Sequence, residues 1–339
     1  MTDDLRIILA GGGTLGSVSP LLSIAEQLPT RYLFVGSQTG PEKEVVLRQN
    51  IAFRAIAAGK WRRYFSWQNF RDIYKTKVGI WQSLKIIRQF KPDIVLTAGS
   101  FVAVPVALAA KLSGVPVVVH QQDIKLGLAN KIMATLATKV TVTFAEQLKY
   151  FPIKKAVLTG NPVRRCQSAS NEKPLVVITG GGLGARGLND FVASFIPKIL
   201  EKYEVHHILG NDNWEQRLDL PGYIAHRFVA GSMLDLLARA DIIISRAGMS
   251  LITEAAALCK ALVLVPIPGS HQEKNAEFFA KHNAAAYVRQ GNHQIMDRYI
   301  YKLMVNDTWR TALGENLHNL FPPQATENYI KVIRSVLNK

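Results

Sequence analysis

The sequence predicts an α/β chain of two similar domains facing each other across a central cleft. Three observations carry this. Short apolar runs alternate with helix-like segments along the whole chain. Two glycine-rich turns, Ala10 to Ser17 and Thr179 to Arg186, each follow such a run and precede a helical pattern. A chain of 339 residues is long enough for two domains, each with its own core.

In chain order, the candidate strands of the first half are Arg6 to Ala10, Arg31 to Gly36, Ile94 to Thr97, Val115 to His120, Val140 to Thr143 and Ala156 to Thr159. Those of the second half are Leu175 to Thr179, Glu204 to Gly210, Ile224 to Phe228, Asp241 to Ser245, Ala261 to Pro266 and Ala286 to Val288. Helical patterns lie between most of them, such as Leu21 to Leu28, Gly127 to Ala137, Leu234 to Ala240 and Leu251 to Leu258. Continuous apolar strands alternating with helices imply parallel sheets covered on both faces, a Rossmann-like arrangement. The polar stretch Arg165 to Lys173 before Pro174 is the expected linker. Ligands in such folds bind outside the carboxyl ends of the strands, so the loops after the strands are the ones to read.

Composition narrows the class. Hydrophobic residues make up 48% and charged residues 19%, which excludes a disordered chain. Cys166 and Cys259 are too few for a disulfide framework, and no metal-ligand spacing surrounds them. The acidic start, Asp3 and Asp4, lacks the pattern of a signal peptide. The longest apolar stretch, Phe101 to Leu112, is too short to span a bilayer and reads as a buried helix. The net charge of +16 implies an anionic partner.

Several loop residues have the chemistry for contact with an anionic or polar ligand. Glycines bring backbone N–H groups close to an anion, and the following helix adds its positive end. The alternative for either turn is a tight strand-to-helix connection and nothing more. Glu254 has a carboxylate suited to paired ribose hydroxyls, or to helix capping. Gln272 and Asn275 have amides that can both donate and accept hydrogen bonds to a ligand, or that line a polar loop. Arg164 offers a cationic fork to pyrophosphate or to a hinge, or forms a surface salt bridge. His120 ends an apolar strand, where a histidine is structural or chemical. No aspartate pair with chelating spacing stands near these loops, so neither a metal nor a cofactor is expected.

Taken in order, these loops resemble the MurG family of glycosyltransferases, over essentially the whole chain. The resemblance rests on Gly160-Asn161-Pro162-Val163-Arg164, on Gly184-Ala185-Arg186 with Asn189, and on Ser245-Arg246-Ala247-Gly248 with Glu254. It rests further on His271-Gln272 with Asn275-Ala276, on His120, Gln122, Gly127, Asn130 and Lys131, and on the tail Ala325-Thr326-Glu327. The resemblance implies a GT-B type fold. It implies inverting, metal-independent transfer of N-acetylglucosamine from UDP-N-acetylglucosamine to the muramoyl-peptide pyrophosphoryl-undecaprenol lipid, at the cytoplasmic membrane face. The implied domains are an acceptor and membrane domain over 1–163, a UDP-sugar domain over 164–325, and a C-terminal helix over 326–339 returning to the first domain. Thr14, Gly16, Asp123, Arg164, Gly182, Gly184, Met249, Ser250, Glu254, Gln272 and Asn275 are the expected substrate contacts. Cell-wall enzymes are expected partners and nucleic acid is not.

The acceptor half departs from the family pattern. The family's first loop reads Gly-Gly-Thr-Gly-Gly-His, and its histidine is Ser17 here. Its His-Glu-Gln-Asn loop is His120-Gln121-Gln122-Asp123, and the hydroxyl of its Gly-Gly-Tyr segment is lost at Phe101. A serine is a poor base at neutral pH and an amide is none. Asp123 is the one new carboxylate in that loop, so Asp123, Ser17 and His120 are the catalytic candidates, with Asp123 as the base. Two alternatives follow from the lost histidine: a transferase for another lipid acceptor, or a non-catalytic UDP-sugar-binding scaffold.

One segment lies outside these loops. Residues 60–91 hold nine Lys or Arg, one acid and eight aromatics. That composition suits an anionic membrane interface. Single-stranded nucleic acid and a helix with a solvated basic face are the other readings.

Overall fold

A computed structural model describes residues 5–59, 67–164, 169, 173–181, 184–229 and 233–338. Most of the expected linker, residues 182 and 183 of the second glycine turn, and the start of the basic aromatic segment lie outside them.

The first sheet contains β1 (Arg6–Ala10), β2 (Arg31–Ser37), β3 (Ala52–Ile56), β4 (Ile94–Thr97), β5 (Val117–Gln121), β6 (Lys139–Val142) and β7 (Ala156–Leu158). Its order is β3-β2-β1-β4-β5-β6-β7, with every pairing parallel. The second contains β8 (Leu175–Thr179), β9 (Glu204–Ile208), β10 (Tyr223–His226), β11 (Ile242–Ser245), β12 (Ala261–Leu264) and β13 (Ala286–Tyr287). Its order, β10-β9-β8-β11-β12-β13, repeats the same winding, again all parallel. In each sheet the winding reverses beside the first strand, between β1 and β4 and between β8 and β11. That is where α/β sheets bind ligands.

The helices of the first half are α1 (Ser19–Gln27), α2 (Glu42–Arg48), α3 (Trp67–Phe90), α4 (Ala103–Leu112) and α5 (Leu128–Leu136). The second half has α6 (Arg186–Ala193), α7 (Ile196–Leu200), α8 (Met233–Arg239), α9 (Met249–Ala257), α10 (Gln272–Lys281), α11 (His293–Val305), α12 (Asp307–Leu320) and α13 (Ala325–Leu337). By their internal contacts the residues fall into two compact units. One runs to Gln122 and includes Leu126–Arg164 and the C-terminal stretch from Pro322. The other contains Asp123–Lys125 and the chain from Arg165 to Phe321.

Strand alternation builds the first core. Ile7 and Leu9 enter a cluster with Leu21, Ile24, Tyr329 and Ile333, from α1 and α13. Ile8 and Ala10 enter the opposite one, with Val106 and Ala110 of α4 and Ile87 of α3. Both faces are therefore covered, which explains why the strands read as unbroken apolar runs. β3 was not expected from the sequence. It is an edge strand, largely exposed, and Arg54 breaks the apolar run. The expected strand from Glu204 stops at Ile208, because Gly210 turns the chain at φ 92°.

α3 is two-faced. Gly79, Ser83 and Ile87 are buried on one side. Tyr74, Lys77, Trp81, Lys85 and Arg88 form an exposed stripe on the other at helical spacing. Among the described residues no helix is long and apolar enough to cross a membrane.

At Gly314, α12 passes the chain just after α9, where an added Cβ would overlap the Cys259 carbonyl. Gly314→Ala should therefore lower stability by about 2 kcal/mol through overpacking. Urea denaturation checks this; an unchanged midpoint would contradict the close approach.

Candidate functional site

At the first switch point the glycine turn is held from three sides. Gly12 N–H donates to Ser17 Oγ at 3.2 Å, and Ser100 Oγ donates to Gly12 O at 2.7 Å. Gly13 N–H donates to Glu42 Oε2 at 3.1 Å, while Glu42 Oε1 accepts from Ser37 N–H at 2.7 Å. Glu42 is fully buried, and a Cβ on Gly12 would overlap its carboxylate. The chain thus places its own anion on this turn, and a phosphate there would meet like charge. Ser17 is buried and braces the loop, while Thr14 is exposed and Gly16 half-buried. Ser100 sits at φ 88°, a strained region for a non-glycine residue, and its bond to Gly12 offsets that strain. Neither Glu42 nor Ser100 stood out in the sequence, because their roles depend on contacts 29 and 88 residues away.

His120 is fully buried in β5. Its Nε2 is 2.8 Å from Asn161 Oδ1, and its Nδ1 is 2.8 Å from Thr141 Oγ1. An amide oxygen only accepts, so Nε2 holds the proton and Nδ1 accepts from the Thr141 hydroxyl. The Tyr329 ring of α13 packs edge-on against the imidazole at 5.7 Å. Burial pulls the His120 pKa from 6.5 down to about 4, outweighing both hydrogen bonds. The motif Gly160 to Arg164 is also tied to the tail motif. Thr326 Oγ1 accepts from Val163 N–H at 3.3 Å and is 3.2 Å from Val163 O. Arg164 follows, half-buried.

The second unit repeats the histidine brace. His207 Nε2 lies 3.2 Å from Asn189 Oδ1 in α6, and Tyr223 hydroxyl lies 3.1 Å from His207 Nδ1. Asn189 Nδ2 donates to Leu209 O and Gln216 Oε1. Burial lowers the His207 pKa to about 4 as well. Gly184 sits at φ 74°, where a Cβ would overlap the Leu209 carbonyl, so only glycine fits. Gly182 lies outside the described residues.

Neither Ala185 before α6 nor Gly248 before α9 supplies a side-chain cap. Met249 is buried at the start of α9, and Ser250 beside it is half-buried. Glu254 is half-buried in the second turn of α9, which rules out first-turn capping.

Asn275 is fully buried and gathers three segments. Its Nδ2 donates to Asp123 Oδ1 at 2.9 Å and to Ala247 O at 3.0 Å, and its Oδ1 accepts from Ile124 N–H at 3.0 Å. The amide is therefore engaged by protein groups. Gln272 Oε1 accepts from Ile267 N–H at 3.2 Å, and its Nε2 makes no protein hydrogen bond among the described residues. Asp123 has a side chain 34% exposed, with Oδ2 3.8 Å from His271 Nε2. Among the described residues no three His, Cys, Asp or Glu come together as a metal set.

The two buried histidines make stability depend on pH. Each folded-state pKa lies below the unfolded value, so the unfolded chain binds more protons between pH 6.5 and about 4. Their contribution is complete above 6.5 and is lost as pH falls towards 4, by up to about 3 kcal/mol each. Melting temperature should drop across that window, and the drop should shrink in His120→Asn and in His207→Asn. A slope unchanged in both variants would contradict the assignment.

The glycosyltransferase family 28 N-terminal domain matches residues 7–142, and the family's C-terminal domain matches residues 175–316. The UDP-N-acetylglucosamine--N-acetylmuramyl-(pentapeptide) pyrophosphoryl-undecaprenol N-acetylglucosamine transferase of Clostridium botulinum (strain Loch Maree / Type A3) is 38% identical over 302 residues, 84% of each chain. The same-named protein of Clostridium perfringens is 36% identical over 344 residues, covering 93% of this chain and 96% of that one. The crystal structure of Acinetobacter baumannii MurG superposes with a TM-score of 0.74 at 26% identity, covering 98% of this chain and 99% of that one. A UDP co-structure of S. aureus MnaA, at 14% identity and a TM-score of 0.73, shares the fold over 98% of this chain and 97% of its own.

Proposed function

The chain belongs to the MurG family of glycosyltransferases, and on that premise we propose that it moves N-acetylglucosamine from UDP-N-acetylglucosamine onto a membrane-held muramoyl-peptide pyrophosphoryl-undecaprenol lipid. The observation that carries this reading is the Asn275 cluster, which draws Asp123, Ala247 and the start of α10 to one place. Relatives named for this transfer at 36 to 38% identity favour it over another lipid acceptor and over a non-catalytic scaffold.

In this reading the transfer is an inverting displacement without a metal. The acceptor hydroxyl oxygen attacks the anomeric carbon while its proton passes to Asp123 Oδ2. The bond from that carbon to the β-phosphate oxygen breaks, and UDP leaves with the electron pair. Asn275 holds the other carboxylate oxygen and so orients the base. The uncapped starts of α6 and α9, with Gly182, Gly184, Met249 and Ser250, hold the leaving diphosphate through backbone N–H groups. Glu254 accepts from the ribose hydroxyls, Gln272 Nε2 donates to a sugar hydroxyl, and Arg164 meets the pyrophosphate. Thr14 and Gly16 contact the acceptor. His120 and Ser17 act as braces: the imidazole is buried with both nitrogens engaged, and the hydroxyl accepts from Gly12.

The exposed stripe of α3 supports docking on an anionic membrane surface. Tyr74 and Trp81 are 68% and 66% exposed, and Lys77, Lys85 and Arg88 lie on the same face. The cytoplasmic leaflet, where a lipid-linked acceptor and UDP-sugar meet, is the expected location.

The purified chain, given UDP-N-acetylglucosamine and the muramoyl lipid, should release UDP and add one sugar to the lipid. No acceptor-dependent release would overturn the reading. Asp123→Asn should cut turnover roughly 100-fold or more while UDP affinity stays within about three-fold; retained turnover would remove Asp123 as base. Lys77→Glu with Lys85→Glu should weaken sedimentation with phosphatidylglycerol vesicles roughly ten-fold, with no change on neutral phosphatidylcholine. Equal binding of wild type to both vesicles would contradict the electrostatic docking.

A further inference from the structure

Arg246 follows β11, directly at the second switch point, and turns inward. It is only 7% exposed. Its Nη1 donates to Val265 O at 3.0 Å and to Pro266 O at 3.1 Å, where the chain leaves β12. Its Nε is buried without a partner, and no carboxylate pairs with it among the described residues. Burial alone lowers its pKa from the ordinary arginine value, and a guanidinium stays charged through such a shift.

The guanidinium points at the start of α6. Its Nη2 lies 3.5 Å from where a Cβ on Gly187 would stand, in the first turn of that helix. That turn has no side-chain cap and no acidic residue. A desolvated cation and the positive end of a helix therefore sit together. Each raises the cost of the other, and a buried unpaired charge is already unfavourable. Two carbonyl dipoles offset part of this for Arg246, and the helix start has neither a side-chain cap nor a first-turn acid. An anion at the start of α6 would relieve both. The first unit is the opposite case, since Glu42 supplies its glycine turn with a carboxylate from the chain itself.

We propose that Arg246 is a positioning residue for the donor diphosphate, its buried charge strengthening the hold of the α6 start on the two phosphates. The proposal rests on the donor assignment above and adds to it a residue that need not touch the ligand. Arg246 also holds the backbone leaving β12, so a purely structural role must be separated from an electrostatic one. Uridine does this, because it keeps the nucleoside and lacks the charge.

Calorimetric titration of UDP and of uridine into wild type, Arg246→Lys and Arg246→Met is the test. Arg246→Met should weaken UDP binding roughly 30-fold and uridine binding less than about three-fold. Arg246→Lys, which keeps the charge, should retain most of the UDP affinity. Equal losses for both ligands, or an unchanged UDP affinity, would overturn the proposal. Should Arg246→Met fail to fold, the unaltered protein still decides. Its Nε–H resonance, identified by its absence in Arg246→Lys, should shift with UDP and not with uridine; no shift with UDP overturns the proposal. Failure of wild type to bind UDP at all would instead strike the donor assignment itself.

Discussion

The placing of both glycine turns in this protein depends on where each sheet reverses its winding. Right-handed crossovers put helices on opposite faces to either side of β1 and β8, so the loops after β1 and β4, and after β8 and β11, diverge from a common point. The two glycine turns, the Ser100 loop and Arg246 all lie there because the topology places them there. The parallel sheets in turn require both faces to be covered, which α13 helps to do for the first sheet through Tyr329 and Ile333.

The two switch points share a scaffold and differ in charge. In both units a buried neutral imidazole has an asparagine carbonyl at Nε2 and a hydroxyl at Nδ1: His120 with Asn161 and Thr141, and His207 with Asn189 and Tyr223. Each brace fixes a segment that borders the site. The charge at the turns is reversed. The first turn is capped by Glu42 and is closed to a second anion on that side. The second meets an arginine that no carboxylate neutralises among the described residues. In the proposed reading, one fold used twice yields one turn suited to a neutral acceptor group and one suited to a diphosphate.

Much of this is legible in the sequence. β1, β4 and β8 fall on the expected residues because they are buried on both faces and read as unbroken apolar runs. β3 escaped because an edge strand needs no such run. The site residues were found by type and spacing, and their partners were not. Asn275 reads as a sugar ligand in sequence, yet its amide holds Asp123, Ile124 and Ala247, partners up to 152 residues away. His120 stood open between structure and chemistry; only its two hydrogen bonds and full burial decide how it is held. Glu42 gave no signal, since a glutamate at the start of a helix is ordinary until glycines are seen to make room for its carboxylate.

The inequality of the two glycine turns is the central claim, and amide hydrogen exchange with and without UDP tests it most directly. The account requires UDP to protect amides at the starts of α6 and α9 and to leave residues 11–18 unchanged. Protection concentrated at residues 11–18, with the starts of α6 and α9 unaffected, would contradict it.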